Sequence, residues 1–585
     1  MRHVKLRHIN NYQGKDQGRL STYRFFIPRL RQKMQKLKRT TDGQGRPAKA
    51  SCITEPVRVA EENLRTLLTK HHILTSFIAR GFHREVSMMS RSMMSRSTMS
   101  RKLRSIALSS AMLLCSIAVF ATTPTITVTS PTNDSKSTSP VQFKATASSP
   151  ECAQGISAMR VYSAPGVIAY MVYGDKLNVY LNLNPGTNDT TIVTWDYCGG
   201  TASVNLTVTV SGQKKIGGFL YTVNSGYDYG YPNANSVVGY SIVASNGALA
   251  PLLQGPVNTN IFPQSVASDK GGYRLYVGDW KSGDVFAYFI NRDNGYLTPV
   301  PGAPFPVNRA VTAVAVHPSG DYVYAAASEQ AAGDGIAVFQ VHSNGSLTEI
   351  SGSPFATQPG PQALVVDPTG HYLYVADYSN YIEVFQINPS TGALTEAAGS
   401  PYEIPIPAVC NPGGGATANP TDIIDVSGTS LYTPDEFIGY ISGWSISSTT
   451  GGLTPMSGSA FSDGGCATNP NSDYPDPWSL AIDGTGKYMY VNNSQSLDGI
   501  QSYTIRADGA LTPLKFYANT SGGQLPIRTD ASGKYLYTGG RGGIAGYKIN
   551  ETTGEITPLP TSPFMDSAMQ STTNVENIDS FTVTP

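Results

Sequence analysis

One sequence unit recurs seven times between residues 214 and 585, and no other feature restricts the fold as strongly. Its first half is an apolar run, a turn and a tyrosine-rich strand, as in VVDPTGHYLYVAD (Val365–Asp377) and AIDGTGKYMYVNN (Ala481–Asn493). The second tyrosine of one copy follows that of the previous copy after 47 to 58 residues. These tyrosines are Tyr221, Tyr276, Tyr324, Tyr374, Tyr432, Tyr490 and Tyr537. A fixed period of this kind indicates a repeat architecture, in which stacked units bury a shared core.

The second half of the unit is a turn followed by a short strand, as in NGYLTPV, DGALTPL and TGEITPL. The seven copies start at Asn246, Asn294, Asn344, Thr391, Gly451, Asp508 and Thr553. Each unit therefore holds four strand candidates joined by turn-forming residues. In the copy with Tyr374 they are Ala363–Val366, Tyr372–Ala376, Ile382–Ile387 and Leu394–Ala397. Four antiparallel strands at a period near 50 residues predict one propeller blade, so we expect an all-β seven-bladed β-propeller over residues 214–585.

The two ends of the repeat region predict how the ring closes. The first copy lacks its leading strand, and the segment NIDSFTVTP (Asn577–Pro585) matches a leading strand with nothing after it. We expect this segment to pair with Gly218–Val223. Such pairing leaves no open edge between the first and last blades.

The charge is distributed unevenly along the chain. Residues 1–104 hold 24 Lys and Arg against 6 Asp and Glu, whereas residues 105–585 hold 18 against 35. An acidic body repels phosphate backbones, so nucleic acid is not an expected partner. We interpret residues 1–98 as a start site assigned too far upstream or as a disordered basic segment, and we leave them out of the fold prediction.

Residues 99–121 have the three parts of a secretory signal peptide. A basic region precedes the uncharged apolar stretch Ile106–Phe120, and the small residues at −3 and −1, Val119 and Ala121, favour cleavage after Ala121. Cys115 raises the alternative of a lipid anchor, although Leu114 stands where a lipobox has a small residue. We expect export to the periplasm, the cell surface or the medium, with no membrane span and with a monomer as the working form.

Residues 122–212 show six or seven short alternating runs separated by turn residues, which predicts an Ig-like β-sandwich. The stretch resembles bacterial Ig-like domains that precede exported modules. Cys152 and Cys198 both lie in it, and in an exported chain a pair within one small domain predicts a disulfide. A second disulfide is expected between Cys410 and Cys466, because both lie in loops that precede a blade and therefore share one face.

The blades resemble the seven-bladed β-propeller lactonase family, the 6-phosphogluconolactonase type, and the related YVTN-repeat propellers. The matching features are the D-P-x-G-x-Y-L-Y-V-x-D core and the G-x-L-T-P strand after it. The resemblance implies hydrolysis of a sugar lactone or a similar ester. One departure is that no histidine precedes the first strand of a blade. His317, His342 and His371 are expected in structural or solvated positions.

Two rings of residues are expected at the channel or its mouth. One ring precedes the first strand of each blade: Gln264, Thr312, Gln362, Thr421, Trp478, Ile527 and Asp579. The other follows the tyrosine-rich strand: Asn224, Asp279, Ala327, Asp377, Asp435, Asn493 and Gly540.

The second ring supplies the candidate catalytic residues, Asp279, Asp377 and Asp435, as general bases or as ligands of a divalent cation such as calcium. The alternative is that these carboxylates only cap turns. Candidate substrate-binding residues are Gln264, Gln362, Asn224, Asn493 and Trp478, and Trp478 either stacks on a sugar or packs between blades.

Two functions therefore stay open. One is an exported lactonase-type hydrolase, and the other is a non-enzymatic surface propeller that recognises a carbohydrate or a protein. The chain contains no G-x-S-x-G, H-E-x-x-H, Walker A or EF-hand sequence.

Overall fold

The structure is a computed structural model. It describes residues 123–213, 215–225, 235–259, 262–328, 333–410, 418–426, 428–436, 438–463, 476–494, 499–518, 526–539, 543–560, 562–564 and 577–585. The expected signal peptide at 99–121, Cys115, Cys466 and Gly540 lie outside these residues. In the described part of the chain, no helix is long and apolar enough to cross a membrane.

The described N-terminal residues form two β-sheets that share one core. The strands are β1 (Thr125–Ser130), β2 (Ser135–Ser139), β3 (Val141–Ser148), β4 (Ile156–Ala164), β5 (Val167–Tyr173), β6 (Lys176–Leu181), β7 (Gly186–Asp196) and β8 (Thr201–Gln213). One sheet has the order β1-β3-β6 and the other β2-β8-β7-β4-β5. Phe143, Met159 and Ile192 are fully buried between them. Because the side chains of a strand alternate between its two faces, β3 buries every second residue while the others point outward.

The expected disulfide between Cys152 and Cys198 is present, with Cα atoms 5.8 Å apart. Asp196 stands beside it and accepts hydrogen bonds from the backbone N–H groups of Cys198 and Gly200. This arrangement fixes the turn between β7 and β8. Cys410 is also disulfide-bonded, and its pairing with Cys466 stays a prediction.

The described residues from 215 onward form seven antiparallel sheets, each built on four strands, which we call blades one to seven. The innermost strands of blades two to seven are β13 (Pro263–Ser268), β18 (Val311–Val316), β23 (Pro361–Val366), β28 (Ile424–Val426), β33 (Asp476–Ile482) and β37 (Ile527–Thr529). The second strands, from blade one on, are β9 (Ile216–Ser225), β14 (Arg274–Asp279), β19 (Tyr322–Ala327), β24 (Tyr372–Asp377), β29 (Ser430–Asp435), β34 (Tyr488–Ser494) and β38 (Tyr535–Thr538).

Two further strands complete each blade. The third strands are β10 (Ser236–Val243), β15 (Asp284–Ile290), β20 (Gly335–Val341), β25 (Tyr381–Ile387), β30 (Tyr440–Ile446), β35 (Gly499–Ile505) and β39 (Ala545–Ile549). The outer strands are β11 (Leu249–Pro251), β16 (Leu297–Pro299), β21 (Leu347–Glu349), β26 (Leu394–Glu396), β31 (Leu453–Pro455), β36 (Leu511–Ala518) and β40 (Ile556–Pro558).

Short additional strands pair with the third strand in blades one to five. They are β12 (Val257–Asn258), β17 (Phe305–Pro306), β22 (Phe355–Ala356), β27 (Tyr402–Glu403) and β32 (Phe461–Ser462). A 3-10 helix spans Ala408–Cys410.

The innermost strand of blade one is β41 (Asn577–Thr584), which pairs antiparallel with β9 as the sequence predicts. Each innermost strand lies against that of the next blade, from β41 to β13 and onward to β37, which returns to β41. The seven blades therefore form a closed ring around a central channel. In this ring β41 belongs to the first blade in space and to the last segment in sequence.

The two sequence markers meet at the junctions between blades. The hydroxyl of Tyr221 in blade one donates to the carbonyl of Gly295 in the turn of blade two at 2.8 Å, and Tyr490 donates to Gly554 at 3.0 Å in the same way. Tyr324, Tyr374, Tyr432 and Tyr537 make the equivalent bond to the next blade. In six of the seven blades the repeated tyrosine thus bonds to the turn glycine of the next blade; in blade two the hydroxyl of Tyr276 has no hydrogen-bond partner among the described residues.

The two-sheet part contacts the propeller where its ends meet. Asn182 donates from Nδ2 to the carbonyl oxygens of Pro251 at 2.9 Å and Ala250 at 3.3 Å, beside the outer strand of blade one. Asn178 donates to the carbonyl oxygen of Pro560, directly after the outer strand of blade seven. These bonds span the junction at which the ring closes.

Candidate functional site

A β-bulge recurs at the start of the innermost strands and forms the rim of the channel. The pairing with the second strand shifts by one residue at the same position in blades one, two, three, four and six. The skipped residues are Asp579, Gln264, Thr312, Gln362 and Trp478. A bulge re-aims a side chain that would otherwise follow the pleat. Five members of the first expected ring therefore occupy a repeated backbone irregularity, and we call these five residues the bulge ring.

The residue before each bulge lies opposite the last part of the second strand, where the second expected ring stands. Pro263 pairs with Asp279, and Pro361 with Asp377. In blade five, Pro420 forms an isolated bridge with Asp435. The start of the first strand and the end of the second lie at one end of an antiparallel blade, so both rings surround the same mouth.

The two rings differ in exposure. Gln264, Gln362 and Trp478 are half-buried, so solvent reaches part of each side chain. The expected catalytic and binding residues of the second ring are buried: Asn224, Asp279, Asp377, Asp435 and Asn493. The bulge ring thus faces the opening, and the second ring lies behind it.

Asp279 uses both carboxylate oxygens to hold the backbone at the mouth. Its Oδ1 accepts the N–H groups of Lys281 at 3.0 Å and Ser282 at 2.7 Å, and its Oδ2 accepts the N–H of Phe262 at 2.9 Å. Asp435 accepts the N–H of Ile438 at 3.1 Å. These bonds are those of a side chain that caps a turn.

The three candidate catalytic aspartates stand in blades two, four and five and do not form one ligand set. Among the described residues, one group of at least three side chains capable of metal binding lies close together, namely Cys152, Asp196 and Cys198. Its two cysteines are joined in the disulfide. A calcium requirement therefore stays a prediction, and the described residues contain no cluster of carboxylates that supports it.

Asp377 forms a buried acidic pair with Glu383 of the adjacent strand. Burial and the nearby charge of Glu383 raise the pKa of Asp377 well above its usual range. Burial also raises the pKa of Glu383, whose Oε2 accepts the N–H of Gln358 at 2.8 Å. Two carboxyls in one dry site repel each other when both are ionised, and this repulsion adds to the rise in pKa. Glu383 was not expected from the sequence, because only the strand pairing brings it to Asp377.

The two candidate asparagines differ in their surroundings. The side-chain amide of Asn224 is fully buried, and neither of its polar atoms has a hydrogen-bond partner. Asn493 lies beside Asp463, which accepts a hydrogen bond from the hydroxyl of Tyr503. Burial raises the pKa of Asp463 to about 7, although these two neighbours lower it.

Asp579 is the carboxylate that the bulge ring contributes at the mouth. Its side chain is half-buried, and its Oδ2 accepts the N–H of Ser225 at 2.6 Å. Loss of hydration raises the pKa of Asp579 to about 7, although the bonds to Ser225 lower it. A general base works best when its pKa lies near the working pH. The sequence places Asp579 in the first ring but gives no reason to prefer it over the other aspartates.

A charged bridge joins the inner strands of neighbouring blades beside the bulge ring. Nη1 of Arg528 in blade seven lies 2.9 Å from Oδ2 of Asp422, which precedes β28 in blade five. Oγ of Ser479 in blade six donates to the same carboxylate oxygen at 2.7 Å. The bridge links the inner edges of three consecutive blades.

Ile527 does not belong to the bulge ring, contrary to the sequence-based alignment. Arg528 lies opposite Tyr537, whereas Ala267 lies opposite Tyr276, so Ile527 corresponds to Val266 and not to Gln264. It is fully buried in the core between blades. The error arises because the innermost strand of blade seven is short and is preceded by Pro526. In the sequence this proline aligns with the proline that begins the innermost strand of other blades, although its position in the blade differs.

The three propeller histidines lie at the opposite end of the blades. Rings of His317 and His371 bond to Ser319 and Thr369 in the turns between first and second strands. His342 bonds to Thr348 after the third strand. None of these positions borders the mouth.

Comparison with known proteins bears on this part of the chain. Residues 299–409 match the family model described as "Lactonase, 7-bladed beta-propeller". The matched segment contains blades three and four, with Asp377 and Glu383. No curated protein matches the sequence.

Several solved structures are similar in part. One is from Bacteroides fragilis, provisionally assigned as a 6-phosphogluconolactonase, with 18% identity, 63% of this chain and 98% of that chain covered, and a TM-score of 0.49. A second, from Bacteroides uniformis and assigned in the same way, has 19% identity, coverage of 59% and 95%, and a TM-score of 0.47. A third is the periplasmic gluconolactonase of Pseudomonas aeruginosa, with 14% identity, coverage of 58% and 95%, and a TM-score of 0.48. The class supported by the family match is a lactonase-like β-propeller.

Proposed function

We propose that this protein is an exported lactonase-like propeller that hydrolyses a sugar lactone or a similar ester at the mouth of its channel. The observation that carries the proposal is Asp579, a half-buried carboxylate in the bulge ring with its pKa raised to about 7. The partial family match supports the reaction class. The N-terminal two-sheet part would then be an Ig-like module that carries the propeller.

The proposed reaction needs one base beside a bound lactone. Asp579 takes a proton from water, whose oxygen attacks the carbonyl carbon. The ring C–O bond breaks, and the leaving alkoxide takes up the proton that Asp579 received from water, so that a hydroxy acid results and the base is regenerated. Gln264 and Gln362 would bond to sugar hydroxyls, and Trp478 would stack on the sugar ring. Asp279, Asp377 and Asp435 would hold the mouth in shape from behind.

The first test is acid release from a panel of sugar and aliphatic lactones, with and without Ca²⁺, by the chain that starts at Thr122. We expect turnover that rises with pH through about 7, as the base loses its proton. Asp579→Asn should lower kcat about 10²-fold to 10⁴-fold. Asp293→Asn, an exposed aspartate on a surface turn, is the matched control and should leave turnover unchanged. A folded protein without turnover above the spontaneous rate would contradict the proposal.

A second candidate function is binding without catalysis. The turn-capping bonds of Asp279 and the absence of histidine from the bulge ring favour it. In that case Asp579→Asn changes affinity for a sugar ligand, and no lactone is opened by either protein.

A further inference from the structure

Two exposed aromatic residues stand on the same face as the channel mouth, outside the bulge ring. Trp280 follows Asp279 at the end of β14, and Tyr378 follows Asp377 at the end of β24. Trp280 is 42% exposed and Tyr378 is 37% exposed. We call this pair, together with Trp478 of the bulge ring, the aromatic platform.

The backbone holds both residues in one repeated way. The N–H of Trp280 donates to the carbonyl of Phe262 at 2.8 Å, and that of Tyr378 to the carbonyl of Gly360 at 2.7 Å. Each acceptor lies in the loop that leads to the innermost strand of the same blade. The ring of Phe262 also packs against that of Trp280, with centroids 5.7 Å apart. The orientation of Trp280 is therefore fixed before any ligand arrives.

Folding does not require an aromatic residue at this position. The equivalent residues are Ser225 in blade one, Ser328 in blade three and Glu436 in blade five. Ser328 donates its N–H to the loop before its own innermost strand, as Trp280 does. The repeat itself therefore does not account for the large exposed rings of Trp280 and Tyr378.

The aromatic rings, the nearby amides and the net charge of the chain together indicate which class of ligand the platform would bind. Aromatic faces pack on the apolar faces of pyranose rings, and the amides of Gln264 and Gln362 on the bulge ring suit sugar hydroxyls. Oε1 of Gln264 is buried and has no hydrogen-bond partner. Residues 105–585 carry 35 Asp and Glu against 18 Lys and Arg, which disfavours uronates and phosphorylated sugars.

From these observations we infer that the aromatic platform binds a neutral oligosaccharide of several pyranose units, one unit at the mouth and others over Trp280 and Tyr378. The inference rests on the proposed site, because the unit at the mouth would be the one acted on. Binding is nevertheless measured with sugars that carry no lactone, so failure of binding and failure of hydrolysis are seen separately.

The test is titration calorimetry with the hexasaccharides of β-1,4-glucose, β-1,4-mannose, β-1,4-xylose and N-acetylglucosamine, their monosaccharides, and hexagalacturonate. At least one neutral hexasaccharide should bind at least tenfold more tightly than its monosaccharide, and hexagalacturonate should not bind. Trp280→Ala and Tyr378→Ala should each weaken hexasaccharide binding about threefold to tenfold and leave monosaccharide binding unchanged.

Tyr273→Ala is the matched control. Tyr273 is 61% exposed and precedes β14, so it stands at the opposite end of the same blade. The Tyr273→Ala variant should bind the hexasaccharide as tightly as the unchanged protein does. The inference is overturned if no neutral hexasaccharide binds better than its monosaccharide, or if the platform variants bind as Tyr273→Ala does.

Discussion

Tyr537 in blade seven donates its hydroxyl hydrogen to the carbonyl oxygen of Gly247 in blade one, over 2.7 Å. The two residues are 290 positions apart in sequence and are both buried. The bond repeats, at the junction of the chain's two ends, the contact that joins consecutive blades elsewhere. Closure therefore uses the same interaction as the rest of the ring, in addition to the pairing of β41 with β9.

We expect Tyr537→Phe to lower the free energy of unfolding by about 1–2 kcal/mol, because the buried carbonyl of Gly247 loses its donor. Tyr276→Phe is the matched control. Its hydroxyl is buried and has no hydrogen-bond partner, so its removal should be neutral or stabilising. Urea unfolding followed by tryptophan fluorescence measures both changes. Equal losses in the two variants would contradict the role given to the bond.

Gly247 should tolerate no side chain. Its φ of +71° is one that L-residues rarely adopt, and an added Cβ would lie 2.3 Å from Cδ1 of Tyr535. Gly255 has the same φ, and nothing lies within 4 Å of its Cβ position. Both alanine variants lose about 1–2 kcal/mol to the backbone conformation. Gly247→Ala should lose about 1–3 kcal/mol more through overpacking, as thermal unfolding would show.

The acidic pair predicts a pH dependence of stability. The native pKa of Asp377 lies above its unfolded value, so the folded state binds more protons once the pH exceeds the unfolded value. The pair's contribution is fully present below the unfolded pKa values and is lost as the pH rises through the raised native ones. Asp377→Asn should remove much of this loss of stability as the pH rises. Its effect on the free energy of unfolding should therefore be more favourable at neutral pH than in acid.

Urea midpoints measured between pH 3 and pH 8 test this expectation, with the exposed Asp293→Asn as control. Only Asp377→Asn should flatten the profile. A decline with pH as steep as that of the unchanged protein would contradict the raised pKa of Asp377.

Asn182→Ala should loosen the two-sheet part from the propeller. Its amide donates to Ala250, Pro251 and Ser241, and alanine leaves their oxygens without this donor. We expect a loss of about 1–3 kcal/mol and cleavage between residues 211 and 217 at lower protease concentrations. Asn188→Ala, whose amide bonds within its own surface turn to Asn184 and Gly186, is the control and should not change cleavage. Identical digestion of both variants would argue against the contact.

The fold was largely predictable, because it follows from periodic signals. The tyrosine and the turn glycine of each copy recur together since they touch across blades, and NIDSFTVTP matches a leading strand because it is one. The Cys152–Cys198 disulfide follows from two cysteines in one small domain. Ile527 was placed wrongly, because a repeat alignment cannot see that the innermost strand of blade seven is shortened.

The candidate site was less predictable, because its properties arise from side chains that are distant in sequence. Gln264, Gln362 and Trp478 lie on the bulge ring, but no local sequence pattern predicts the bulge. Asp279 and Asp377 look alike in sequence, and only their surroundings make one a turn cap and the other half of a buried acidic pair. Asp579 could have been preferred as the carboxylate of its ring, but the rise in its pKa depends on packing.

The position of β41 in blade one has a consequence for synthesis. A ribosome makes β9 early and residues 577–584 only several hundred codons later, so during that interval β9 has an unpaired inner edge. Nascent chains that stall or are cut short within the later blades keep that edge open. Such chains present the unpaired N–H and C=O groups of that edge, at which they can pair with one another, whereas finished rings do not.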